Sequence, residues 1–239
     1  MISIGPQKKT IPPPNLRFAP SVCLLSDAAY FHFQPLSYET PFPLRHLSAM
    51  GDKEIIGLAT ISVGTGQGGT IPMLARVSLI DKRGRVIYDV FVKPTSPIES
   101  YRTTTTGLDS SYFVDALPFQ EVQVAAAAWL LDRIVVGHQL WTDLQLLGLS
   151  HPASDTRDVA LYFPFRNALG RPNDLIGLGS LTWLLMRRKI QATYHDPLEN
   201  ARAAMDLYRS DEDQWEKYVK TMEQWPCALP PPLYSRCYT

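Results

Sequence analysis

The chain has 239 residues, 45% of them hydrophobic, with 23 Lys and Arg balanced by 23 Asp and Glu. That length fits one domain of ordinary size plus tails, with enough apolar residues for a substantial core. A formal net charge of zero argues against strong nonspecific binding to nucleic acid, which a basic surface drives, and leaves room only for a local basic patch.

Cys23, Cys227 and Cys237 form neither a CxxC pair nor a zinc spacing. Reduced thiols are expected, with a Cys227–Cys237 pair conceivable only in an oxidising compartment. The N-terminal MISIGPQKKTIPPP lacks the apolar run of a signal peptide, and no stretch approaches the roughly 20 apolar residues of a membrane span. A soluble protein of the nucleus or cytoplasm, with no membrane partner, is expected.

Residues 1–52 are rich in Pro and Ser, with PPP at 12–14 and PFP at 41–43, which argues against regular structure. Tyr30, Phe31, Phe33 and Phe42 make this extension too apolar for a simple solvated tail and suit it to wrapping the domain or docking a partner. The Ile- and Val-rich residues 54–63 read as a strand. Residues 73–81 and 85–92 read as two more, joined by Lys82-Arg83-Gly84 as an antiparallel hairpin. Thr103 to Thr106 read as a polar surface loop whose hydroxyls could meet phosphate, the plain polar loop being the commoner case. Residues 121–132 (EVQVAAAAWLLD) are dense in Ala and Leu and read as a helix. Residues 134–137 follow as a short buried strand, and 140–147 as a helix. Residues 178–188 read as an amphipathic helix capped by Ser180 with cations at its end. Residues 197–220 read as one long helix with Pro197 in its first turn, where Pro is tolerated. The stretch from Pro226, with PPP at 230–232, reads as a second tail. The organisation is an extension over 1–52, a domain over 53–220 and a tail over 221–239. A three-strand antiparallel meander followed by alternating helices and strands predicts a mixed α/β sheet flanked by helices. Two basic runs, Arg187-Arg188-Lys189 and Lys82, Arg83 and Arg85, read first as a solvated helix end and turn.

The strings GLATISVG, LARVSLID, RVIYDVFVKPTSPIESYRTTTTGL, RIVVGHQLWTDLQLL, RDVALYFPF and HDPLENARAAMDLY carry a resemblance. In order and spacing they resemble the RNA exonuclease/interferon-induced exonuclease branch of the DEDDh 3′–5′ exonucleases, over roughly residues 54–218. The resemblance implies an RNase H-like fold. It also implies chemistry by two Mg²⁺ or Mn²⁺ ions that activate water and stabilise the leaving oxygen, with four acidic ligands and a His general base. Asp143 matches the acid of the second motif, Asp158 another acid common to the branch, and His195 the base. Ala59 and Ile61 stand where the first strand of that family carries its Asp-x-Glu pair, and Asn200 stands where the last Asp is expected. Hard cations need several oxygen ligands, mostly carboxylates. Glu199 neighbours Asn200, but one helical residue turns the side chain by about 100°.

On this alignment His138, Asp143, Asp158 and His195 line the old cleft as candidate catalytic residues. Ile61, Trp141 and Glu199 are candidate ligand-pocket residues, and Ala59, Ile61 and Asn200 are degenerate metal positions. For each, a structural role competes with the functional one. His138 could bond a backbone group, Asp143 could cap its helix, and Trp141 could pack in the core rather than stack on a base. No cofactor is expected, Mg²⁺ or Mn²⁺ being needed only for residual nuclease activity. The leading expectation is a catalytically degenerate exonuclease that binds RNA or single-stranded DNA weakly, or a protein partner. A metal-independent enzyme using the His pocket on a small organic molecule stays open, as does weak residual exonuclease activity through Asp143, Asp158, His195 and Glu199.

Overall fold

A computed structural model describes residues 53–221 and 226–239; the expected N-terminal extension, with its aromatic residues and Cys23, lies outside them. In chain order the elements are β1 (Ile55–Thr65), β2 (Ile71–Asp81), β3 (Val86–Phe91), β4 (Ile98–Ser100), α1 (Thr103–Thr106), α2 (Phe119–Leu130), β5 (Ile134–Gly137), α3 (Leu140–Leu147), β6 (Thr156–Asp158), α4 (Phe163–Ala168), α5 (Leu178–Met186), α6 (Pro197–Ser210) and α7 (Glu212–Thr221). A 3₁₀ helix, Pro232–Cys237, closes the chain.

The sheet runs β3-β2-β1-β5-β6, with β4 paired to the far end of β1. The first three strands form the expected antiparallel meander, and β1, β5 and β6 run parallel. β1 is central and buried along most of its length, as a strand covered on both faces requires. Helix α6 packs across β1, β2 and β5. Its buried face is built on Ala201, Ala203 and Ala204, small side chains that let helix and sheet come close. Gly57 completes that approach: a Cβ there would lie 2.7 Å from Ile80 Cγ1 and 3.4 Å from the Ala201 carbonyl oxygen.

Four expectations differ from the structure. The long helix over 197–220 is two helices broken at Asp211, where φ is −135°. The break lets the Asp211 carboxylate accept from the Tyr162 hydroxyl at 2.6 Å and lets Trp215 stack on Tyr162 with centroids 3.8 Å apart. Tertiary packing thus overrides an unbroken run of helix formers. Helix α5 starts at Leu178 with Gly177 as its cap; Ser180 lies within the first turn, its N–H donating to the Gly177 carbonyl. Thr103–Thr106 is a single helical turn, because Thr103 and Thr106 turn their hydroxyls onto the Leu108 and Tyr101 carbonyls. Residues 226–239, which read as a tail, run along the domain with Cys227 and Cys237 buried.

Arg157 of β6 is 2% exposed and clamps α7 to the sheet. Its guanidinium donates to both Glu216 carboxylate oxygens, at 2.7 and 2.9 Å, and to the Ser154 carbonyl at 2.6 Å. Burial works against the Glu216 charge, but the bonds from Arg157 and Tyr208 outweigh it and hold its pKa below the ordinary 4.5. A depressed carboxylate stabilises the fold above its unfolded pKa and loses that contribution as pH falls through the folded one. Removing one partner of a buried pair strands the other charge. Glu216→Ala is therefore expected to lose about 3 kcal/mol in urea melts at pH 7. The gap to wild type should shrink as the pH drops below about 4; a gap independent of pH would contradict this assignment.

Candidate functional site

The C-terminal end of β5 leads into α3 through His138 and Gln139. Gly137 makes that junction possible, since a Cβ there would sit 2.4 Å from Leu140 Cδ2 and 2.8 Å from the Leu58 carbonyl oxygen. The first turn of α3 is fixed by Asp158 at the end of β6. The Asp158 carboxylate accepts from the Gln139 and Leu140 N–H groups at 2.9 and 2.8 Å. It also accepts from the Ala160 N–H at 2.9 Å and the Tyr238 hydroxyl at 2.9 Å. An anion on a helix N-terminus satisfies its orphan N–H groups and its dipole. The capping carboxylate of α3 is thus Asp158 and not Asp143.

Asp143 sits one turn into α3, 7% exposed, facing the centre of β1. Its Oδ1 accepts both from the Thr60 N–H, at 3.0 Å, and from the Thr60 hydroxyl, at 2.5 Å. Burial pushes its pKa up, the Thr60 bonds pull it back, and the neighbouring Asp158 charge pushes it up again, to about 8. Beside it is a small cavity of about 140 Å³, walled by Ala59, Thr60, His138, Asp143, Gln191 and Asn200 among others. Gln191, in the left-handed region at φ 56°, ties the far wall together. Its Nε2 donates to Asn200 Oδ1 at 2.9 Å and its N–H to Glu199 Oε2 at 2.8 Å.

The other residues singled out from sequence fall in different places. His138 lies at the cavity with its Nε2 donating to the Ile176 carbonyl at 2.8 Å. Burial lowers its pKa, against the pull of Asp158 and of that carbonyl, which favours the neutral ring. His195 is exposed and outside the cavity wall; its backbone N–H donates to Thr105 O at 2.7 Å. Ile61 packs with Val63, Ala75 and Leu108 in a second apolar cluster. Trp141 is 2% exposed in the main core, with the Tyr234 ring 6.3 Å away. The cavity therefore gathers Ala59, His138, Asp143 and Asn200, but not Asp158, His195, Ile61, Trp141 or Glu199. Among the described residues no cluster of three or more His, Cys, Asp or Glu side chains is placed to hold a metal ion. Sequence reasoning passed over Thr60 and Gln191, although a hydroxyl between the two altered strand positions was a legible signal for Thr60.

Four of the six cations in the two basic runs are engaged within the domain. Lys82 pairs with Glu212, Arg85 with Asp81 at 2.6 Å, and Arg188 with Asp206. Lys189 lies over the Trp183 ring at 5.3 Å.

A meander continued by parallel strands, with α3 and α6 bringing side chains to the middle of β1, is the frame of an RNase H-like exonuclease domain. The chain is a homologue of the DEDD-family 3′–5′ exonucleases. It is 36% identical over 190 residues to apoptosis-enhancing nuclease of Rattus norvegicus, covering 77% of this chain and 56% of that protein. To RNA exonuclease 4 of Cryptococcus neoformans it is 36% identical over 202 residues, covering 82% and 48%. The chain spans about half the length of these curated relatives. No family model matches it. Among solved structures, the Saccharomyces cerevisiae Pan2 pseudoubiquitin hydrolase–RNA exonuclease module in complex with AAGGAA RNA superposes with a TM-score of 0.61. That match is 22% identical and covers 75% of this chain and 33% of the module, a likeness of fold. No helix among the described residues is long and apolar enough to cross a membrane.

The Asp143 carboxyl gives a direct test of this geometry. The folded state keeps its proton up to about pH 8, whereas the ordinary value is 3.8. Between those values the unfolded chain binds fewer protons, so stability falls as pH rises. Asp143→Asn keeps an oxygen for both Thr60 donors and does not titrate. It is expected to be more stable than wild type at pH 8 by on the order of 2 kcal/mol, with the gap narrowing towards pH 4. Urea melts at several pH values measure this, and parallel pH profiles for the two proteins would refute it.

Proposed function

We propose that this chain is a catalytically degenerate exonuclease, one that retains the exonuclease scaffold and uses the inherited groove to bind a nucleic acid or a protein partner. The observation that carries the reading is the state of Asp143. Among the described residues it is the sole acidic side chain on the cavity wall, and Thr60 holds it with two bonds to one oxygen. Ala59 brings no ligand to the cavity. Asn200 brings at most an uncharged oxygen, already bonded to Gln191. Two divalent cations, each needing several hard oxygen ligands, do not fit this donor set.

The other two readings draw less support. Residual metal-dependent cleavage would need Asp158 and Glu199, but Asp158 holds four donors at the start of α3 and Glu199 accepts from Gln191. A metal-free enzyme acting on a small organic molecule would need room. The cavity of about 140 Å³ is well below the roughly 300 Å³ at which small-molecule sites begin, and His195 is not on its wall. On the ligand, zero net charge and the ion pairs that engage Lys82, Arg85 and Arg188 favour modest affinity for nucleic acid.

The test uses end-labelled single-stranded RNA and DNA, incubated with the protein in Mg²⁺ or Mn²⁺ beside Asp143→Ala. No shortening is expected beyond that of the variant, and shortening that vanishes in Asp143→Ala would overturn the proposal. A gel shift in the same tubes would assign the groove to nucleic acid; its absence would count against nucleic acid and turn the search to protein partners and small molecules.

A further inference from the structure

Residues 226–239 bracket β6 without pairing with it. β6 is the edge strand of the sheet, bonded to β5 on one side only. After β6, Phe163 N–H donates to Pro226 O at 2.9 Å and Ala228 N–H to Leu161 O at 2.8 Å. Before β6, His151 N–H donates to Cys237 O at 2.9 Å and Thr239 N–H to His151 O at 3.1 Å. Among the described residues, no backbone hydrogen bond joins the segment to β6 itself. Between the two lies a recess of about 590 Å³, walled by Thr156, Asp158 and Leu161 on the domain side and by Cys227, Pro230 and Tyr238 on the other. It shares no wall residue with the cavity beside Asp143.

The wall suits an uncharged occupant. Among the described residues, no Lys, Arg or His lines it. Its one carboxylate, Asp158, already accepts from three N–H groups and the Tyr238 hydroxyl. Burial, and then the Asp158 charge, raise the Cys227 thiol above its ordinary value, so it stays protonated. A charged molecule entering here would lose hydration and gain no counter-ion.

One polar group on the strand edge remains. Val159 N–H donates across to Gly137 O of β5. Backbone groups along a strand alternate between its two edges, so the Asp158 N–H faces away from β5. It makes no hydrogen bond among the described residues, although Asp158 is 2% exposed. Buried N–H groups in folded proteins are almost always matched by an acceptor.

We propose that this recess binds a small, uncharged, largely apolar organic molecule of one or two rings that carries a carbonyl oxygen, with that oxygen accepting from the Asp158 N–H. The volume of about 590 Å³ lies within the roughly 300–1,000 Å³ of small-molecule sites, which pair apolar walls with a few placed polar groups. The rings lie against Leu161 and Pro230. A nucleic acid is set aside, because its phosphates need cations that the wall does not offer. The site stands whether or not the central groove binds nucleic acid.

The test is a fluorescence titration of the full chain with prodan, an uncharged naphthyl ketone whose emission reports polarity. Saturable binding with a blue-shifted emission is expected. Ala153→Trp, which fills the recess from its wall, should weaken it about tenfold or more. Leu233→Ser, whose side chain is off the wall, should leave it unchanged. The anionic anilinonaphthalenesulfonate should bind at least about tenfold more weakly than prodan. Amide NMR spectra of the unaltered chain add a readout that needs no variant: the Asp158 N–H resonance moves downfield as prodan saturates. Absence of saturable binding would overturn the proposal, as would an Asp158 resonance that does not move. So would prodan binding that survives Ala153→Trp in a protein shown by thermal melts to be folded, equal affinity for the anion, or loss of binding in Leu233→Ser, which would mark adhesion to exposed leucines.

Discussion

The Asp158 carboxylate ties three parts of the chain together. It receives the first N–H groups of α3, the Ala160 N–H just after β6, and the hydroxyl of Tyr238 near the C-terminus. Helix α3 is eight residues long and too short to persist on its own, so its direction is set by that anchor and by the core beneath Leu140, Trp141, Leu144 and Leu147. The direction of α3 decides where Asp143 points. It points at Thr60, and every chemical property of the centre follows from that meeting.

Much of this was legible from the sequence, for physical reasons. The meander announced itself through Ile- and Val-rich runs and a Gly-containing turn. The strand over 134–137 and the helix over 140–147 coincide with β5 and α3, because each is bounded by residues that resist continuing the element. What escaped was set by contacts remote in sequence. Nothing local marks Asp211 as a break, since its reason is a tyrosine 49 positions earlier. The docking of residues 226–239 was hidden by their prolines, whose tertiary bonds are made by the residues flanking them. At the centre, the alignment set His138, Asp143, Asp158 and His195 along one cleft. In the structure Asp158 caps the start of α3 with its charge near Asp143, and the His195 residue is exposed. A carboxylate that completes a fold and one that holds a metal look alike in a string of letters; only the donors around them differ.

On the proposed reading, the scaffold is kept while the donors at its centre have changed. An exonuclease centre concentrates negative charge that only cations can neutralise. Here that charge is replaced by Ala59, by the Asn200 amide bonded to Gln191, and by a single carboxyl that burial pushes towards its neutral form. A centre of this kind needs no ion to hold the fold together. On that reading the groove around it is a surface for recognition.

The most direct measurement is a calorimetric titration of the purified chain with Mn²⁺ into the millimolar range, with Asp143→Asn alongside. The account expects no binding heat that distinguishes the two proteins. A saturable Mn²⁺ site that disappears in Asp143→Asn would contradict it and would return the centre to metal-dependent chemistry.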